Sequence, residues 1–112
     1  MQQTELIKGT LQTIILKLLS DHSRMYGYEI TQKVREMSGG ELVLTEGALY
    51  PTLHKLVAEG YLSTETENIG KRVRKYYKLT SHGNTTAVNK VDEFVDFVRV
   101  MSQILQINPQ TS

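Results

Sequence analysis

Apolar residues recur at Ile7, Leu11, Ile14, Ile15, Leu18 and Leu19. Steps of three, four and one place them on one face of a helix over residues 5–20. The other side of that helix is poor in charge, with Leu6, Gly9, Thr13 and Leu16. A monomer's surface helix normally carries charge there, so these residues read as a second buried face. Residues 21–26 form a connector. A second helix over 27–38 puts Ile30, Val34 and Met37 on one side. Gly39-Gly40 stops it, because glycine suits the left-handed position that ends helices. Glu41 to Leu44 is a short extended link. Thr45 is then an N-cap, its hydroxyl accepting an orphan backbone N–H. A third helix follows from Glu46 to about Glu59, with Leu49, Leu53, Leu56 and Val57 toward the core and Gly60 at its end.

The period then changes to two. Leu62, Thr64 and Thr66 alternate with Ser63, Glu65 and Glu67. On the return, Val73, Lys75, Tyr77 and Leu79 alternate with Arg72, Arg74, Tyr76 and Lys78. Turn residues Asn68-Ile69-Gly70-Lys71 lie between, so the segment is a β-hairpin. Helix restarts at Thr80 or Ser81 and runs to about Ile107, before Pro109. Within it Ala87, Val91, Phe94, Val98, Met101 and Leu105 are spaced as a heptad seam. Val88 and Val95, then Phe97, Val100 and Ile104, widen the apolar surface. A domain this small cannot cover so wide a face, so we expect a homodimer. The alternative is a long core helix in a monomer. The expected organisation is a DNA-binding unit over 1–79, a dimerisation helix over 80–107 and a disordered tail over 108–112.

Length changes the picture only by setting a limit: 112 residues make one modest core. Thirteen basic against twelve acidic residues leave a net charge of +1. The distribution is less even. Residues 68–78 hold Lys71, Arg72, Arg74, Lys75 and Lys78 and no acid, while the rest of the chain has eight bases against twelve acids. A hairpin carrying that surplus is suited to phosphate contact. It would otherwise be a solvated edge blunted by lysines. The absence of cysteine excludes disulfide scaffolds, thiol nucleophiles and thiolate metal sites. No apolar run approaches the roughly 18 residues of a membrane span, and no export signal is legible. We therefore expect a cytoplasmic protein with no membrane partner.

Three short helices followed by a basic hairpin form the layout of a winged helix-turn-helix. In that layout the third helix enters the major groove of double-stranded DNA and the hairpin, or wing, lies on the backbone or minor groove. The outward side of the third helix presents Gly47, Ala48, Pro51, His54, Lys55 and Ala58. Gly47 and Ala48 allow close approach, and the helix start at Thr45 favours a phosphate. His54 and Lys55 can reach base edges or phosphates. Glu46 can accept a cytosine amino group or simply support the capping turn.

The residues also resemble a known family. Gly47-Ala48-Leu49-Tyr50-Pro51-Thr52-Leu53, then Leu56, Gly60 and Leu62, then Arg74-Lys75-Tyr76-Tyr77-Lys78-Leu79-Thr80 and Gly83, resemble the PadR family of bacterial transcriptional regulators. Tyr26-Gly27-Tyr28-Glu29-Ile30 fits as well. The resemblance spans about residues 5–105. It implies a winged helix with a single C-terminal dimerisation helix, mostly in repressors that act as dimers on roughly palindromic operators. It also implies that the first helix joins the dimer interface, here through Leu6 and Leu16. DNA contacts then fall on the start of the second helix with Tyr28, on the third helix with Tyr50, and on the wing. Tyr50 borders the core face, so packing and phosphate contact both remain open. Tyr77 shares a strand face with Val73 and Leu79 and belongs to the core. Tyr76 shares a face with Arg72, Arg74 and Lys78 and is the better contact. Some relatives bind flat aromatic or phenolic effectors between subunits. The corresponding space here would be lined by Gly9, Gln12, Thr13, Val91, Phe94, Val98 and Arg99. Phe94 reads first as a dimer-core residue and second as a stacking platform.

An enzyme is the rival class. His22, His54 and His82 lack metal-ligand spacing. Asp21-His22-Ser23 are adjacent and cannot form a relay. No glycine loop for phosphate is present, so no catalysis and no cofactor are expected. A second rival is a dimeric winged helix that binds protein instead of DNA; steep salt dependence of DNA binding separates the two.

Overall fold

The computed structural model describes residues 4–107. The tail expected at 108–112 lies outside the described residues. Helix α1 spans Thr4–Asp21, strand β1 Met25–Tyr26, helix α2 Gly27–Met37 and helix α3 Glu46–Ala58. Strands β2 (Leu62–Ile69) and β3 (Arg72–Leu79) form the hairpin, and α4 runs over Ser81–Leu105. The fold is mainly α with a small antiparallel sheet of strand order β1-β3-β2.

Strand β1 replaces part of the expected connector. Met25 pairs with Tyr77 and Tyr26 with Tyr76. Two residues carry no readable periodicity, and their partners lie some fifty positions on. The hairpin is also longer than expected. Ile69 pairs with Arg72, so the turn shrinks to Gly70-Lys71. Gly70 adopts φ 63°, the left-handed conformation that glycine takes at no steric cost.

Helix α1 is the centre of the core, packed by α3, β3 and α4. Three neighbours need a wide apolar face, so Leu11, Ile15, Leu16, Leu18 and Leu19 are all buried. Leu16 was expected on the outer face toward a second subunit. It is 0% exposed within the single chain and cannot reach a partner. Ala87, expected at the start of the dimer seam, is likewise enclosed, at 2%. Met37 departs in the other direction: it sits in the last turn of α2 and is exposed.

Helix α4 starts on a rigid mount. The Thr80 hydroxyl donates to the Gly60 carbonyl at 2.7 Å and accepts from the Gly83 amide at 3.0 Å. Gly83 packs on the Tyr61 backbone with no room for a Cβ. Beyond Ala87 the helix rests only partly on α1. Val88, Val95, Phe97, Val100, Ile104 and Leu105 remain exposed. The radius of gyration is 15.4 Å, against about 13 Å for a compact chain of this length. The excess comes from the projecting helix.

Candidate nucleic-acid interface

Helix α3 is fixed from its inner side. Leu49, Leu53 and Leu56 are all 0% exposed, so the outward face has one orientation. Thr45 caps the start, its Oγ1 accepting from the Ala48 amide at 3.2 Å. That hydroxyl serves the helix. Glu46 occupies the first helical position, and the residue three after the cap is Ala48, so Glu46 cannot close a reciprocal capping box. Its carboxylate still lies favourably at the positive helix end. Gly47, Pro51, His54 and Lys55 are exposed along the same side.

Tyr50 is half-buried and joins two elements. Its phenol end lies against Gly27, with no space for a side chain there. The contact ties the first turn of α2 to α3. Tyr28, one residue on, is exposed. Together with the wing these residues enclose a cleft of about 270 Å³, bordered by Tyr28, Tyr50, Arg72, Arg74 and Lys75. Of the expected contact residues, Tyr28, Tyr50, Arg72, Arg74 and Lys75 meet here, whereas Thr45, Glu46, Gly47, Pro51, His54, Lys55, Lys71 and Tyr76 are not part of its lining. Lys71, Arg72 and Lys75 are exposed, and none of the wing-tip cations forms an ion pair among the described residues.

Tyr76 behaves differently from the expectation. Its strand face is as anticipated, but the ring is enclosed. The Arg24 guanidinium lies 3.8 Å above it. The Tyr26 ring meets it edge-on, with centroids 5.6 Å apart. Arg74 in turn lies 4.0 Å over Tyr26. The result is a pair of touching rings with a guanidinium at each end, and Tyr76 is an enclosed member of it, poorly placed to meet a phosphate. Arg24 also grips the wing's acidic strand. It donates to Glu65 Oε1 at 2.8 Å and to Glu67 Oε2 at 2.5 Å. Lys78 adds a contact to Glu65 at 3.5 Å. The hydrogen bond from Arg24 holds the Glu65 carboxyl below its usual range, with the Lys78 charge reinforcing it. The same two carboxylates push Arg24 further up. Arg74 is raised too, first by Tyr76. Sequence reasoning missed Arg24 and Tyr26. The one available signal was the alternation of Glu65 and Glu67 on one strand face.

A second concavity, of about 630 Å³, lies between α1 and α4. Leu6, Gly9, Thr13, Phe94 and Phe97 line it, with Leu42 at one side. Of the residues expected in an effector space, Gly9, Thr13 and Phe94 are here. Gln12, Val91 and Val98, which are half-buried, and Arg99, which is exposed, are not part of its lining. Among the described residues no helix is long and apolar enough to cross a membrane.

A helical head carrying a basic two-stranded wing is a winged helix-turn-helix, the architecture of a transcription regulator. The chain belongs to the PadR-like family of transcriptional regulators, whose family model matches residues 15–88. It is 30% identical over 110 residues to an uncharacterized protein of Lysinibacillus sphaericus, covering 95% of this chain and 97% of that one. A transcriptional regulator from Clostridium thermocellum superposes with a TM-score of 0.82 at 29% identity, over 88% of this chain and 96% of that one. Bacillus subtilis PadR in complex with operator DNA superposes with a TM-score of 0.66 at 30% identity. That match covers 73% of this chain and 45% of the Bacillus protein. The chain also spans about half the length of several further curated relatives.

Proposed function

We propose that this protein is a homodimeric, sequence-specific DNA-binding repressor that reads a pseudo-palindromic operator. One observation carries the DNA-binding part: Arg72, Arg74 and Lys75 form no ion pair among the described residues and border the same cleft as Tyr28 and Tyr50. Glu46, Gly47, Pro51, His54 and Lys55 offer the groove-facing side of α3, and Thr45 orders its start. Lys71, Arg72, Arg74 and Lys75 supply phosphate contacts. Tyr76 supports them from beneath. The similarity to a regulator solved with its operator supports the reading.

The dimer rests on α4. Its uncovered apolar residues exceed what the head can bury, and Val91, Phe94, Val98, Met101 and Leu105 follow a seam that a second copy can complete. Leu6, exposed at the start of α1, extends that surface. Residues 1–79 then form the DNA-binding unit and 80–107 the dimerising one. The groove beside Phe94 has the size of a small-molecule site. A flat aromatic or phenolic effector stacked there would release DNA only by favouring one spacing of the two α3 helices over another.

Fluorescence anisotropy tests the proposal on DNA from upstream of the protein's own gene, across a salt series. Expected is binding tighter than to random DNA that weakens steeply with salt. Replacing Arg72, Arg74 and Lys75 together by alanine should weaken binding on every sequence. It should also lower the salt slope by about three, near one per lost phosphate contact. Unchanged affinity and slope in that variant would overturn the wing's role.

A further inference from the structure

Arg74 stands directly opposite Glu67 in the β2–β3 register. Side chains in that relation sit with Cβ atoms about 5 Å apart, and an arginine and a glutamate so placed ordinarily pair. They do not pair here. Among the described residues Arg74 has no carboxylate within ion-pair distance, and its guanidinium lies over Tyr26 at the rim of the cleft. Glu67 is taken instead by Arg24, from outside the hairpin, and so is Glu65. One guanidinium spans both carboxylates because its donors form a planar fork. The flat face of that guanidinium is spent as well, stacked on Tyr76. Two donors and one face of Arg24 are thus engaged inside the protein. Arg24, Glu65 and Glu67 are all more than a third exposed at their side chains, and exposed pairs of this kind add little to stability. The arrangement changes which charges the wing presents far more than how firmly it is folded.

We infer that Arg24 is a positioning residue for DNA binding: it sequesters Glu65 and Glu67 so that Arg74, placed opposite Glu67, stays available to a phosphate. The inference rests on the wing's contacting DNA, as proposed above. Without Arg24, Glu67 recaptures Arg74, and the wing loses one phosphate contact while keeping its fold. A glutamine at position 67 cannot form that ion pair, so it restores the contact.

The test uses the full chain on a labelled random-sequence duplex, which reports phosphate contacts without knowledge of the operator. Affinity and salt slope are measured for R24A, R24K, E67Q and R24A/E67Q, with melting curves to confirm folding. R24A should bind about five- to ten-fold more weakly near 0.1 M salt, with a slope lower by about one. R24K keeps the net charge, yet a single ammonium cannot bridge both carboxylates, so it should also lose affinity. E67Q should recover most of the loss in the R24A background and gain far less in the wild type. Equal gains from E67Q in both backgrounds, or an unchanged slope in R24A, would overturn the inference. If R24A fails to fold, the same comparison is made with R24K and R24K/E67Q. Failure of the Arg72, Arg74 and Lys75 variant would instead remove the wing reading on which this rests. A weakened triple variant with no coupling between positions 24 and 67 would remove this inference alone.

Discussion

At the scale of single residues, two glycines set the tightest tolerances. Gly27 leaves room for the Tyr50 phenol, and Gly83 for the Tyr61 backbone. The neighbours differ in how far they can yield. Tyr50 is a side chain that can turn aside, whereas the Tyr61 carbonyl also receives the Thr80 amide at 3.1 Å. Gly27→Ala should therefore lose about 1–3 kcal/mol, and Gly83→Ala as much or more. Denaturant melts of the two variants check the order. Gly27→Ala carrying Tyr50→Leu should regain part of its loss, and no regain would show that Tyr50 is not the obstacle. Leu16 belongs at this scale too. Its full burial predicts that Leu16→Ala loses about 2–5 kcal/mol with no selective effect on self-association. A variant of wild-type stability that no longer dimerises would return Leu16 to the interface.

At the scale of elements, the wing is held to the head by a titratable contact. Glu65 has its carboxyl held below the ordinary value of 4.5, first by Arg24. A depressed carboxyl contributes stability that is present above its unfolded value and is lost as pH falls through the folded one. The melting temperature of the wild type should thus fall below about pH 4.5 more steeply than that of Glu65→Gln, which has no such group to protonate. Parallel acid profiles would mean that the contact does not couple to folding. The exposure of the pair keeps the effect small. The elements also show how far the sequence could be read. Helices α2 and α3, the hairpin and α4 were legible because each is specified by its own periodicity, caps and glycines. The Thr45 cap and the Tyr77 core position follow from such local rules. Strand β1 was not legible, since two residues have no period. Arg24 was hidden for the same kind of reason: its partners lie 41 and 43 positions away. Tyr76 was given the right strand face and the wrong exposure, because its cover comes from Arg24 and Tyr26. A helical wheel supplied the angles around α1 but not the number of its neighbours, which is why Leu16 was assigned outward.

At the scale of the molecule, the head and the projecting α4 have opposite surface characters. The head is closed over its own leucines; the distal helix is apolar and open. Phe94→Glu places a charge on the seam and should shift the protein to monomer in sedimentation, with a clear loss of affinity for a two-site operator. A variant that stays dimeric would refute the seam. The uncovered face of α4 has one more consequence. If a second copy covers it, folding and association become linked equilibria, and mass action enters the stability itself. The melting temperature should then rise with the logarithm of protein concentration, and at low abundance the occupied fraction of operator should climb with the square of chain number. The length of one helix beyond its support would make the regulator a gauge of its own supply.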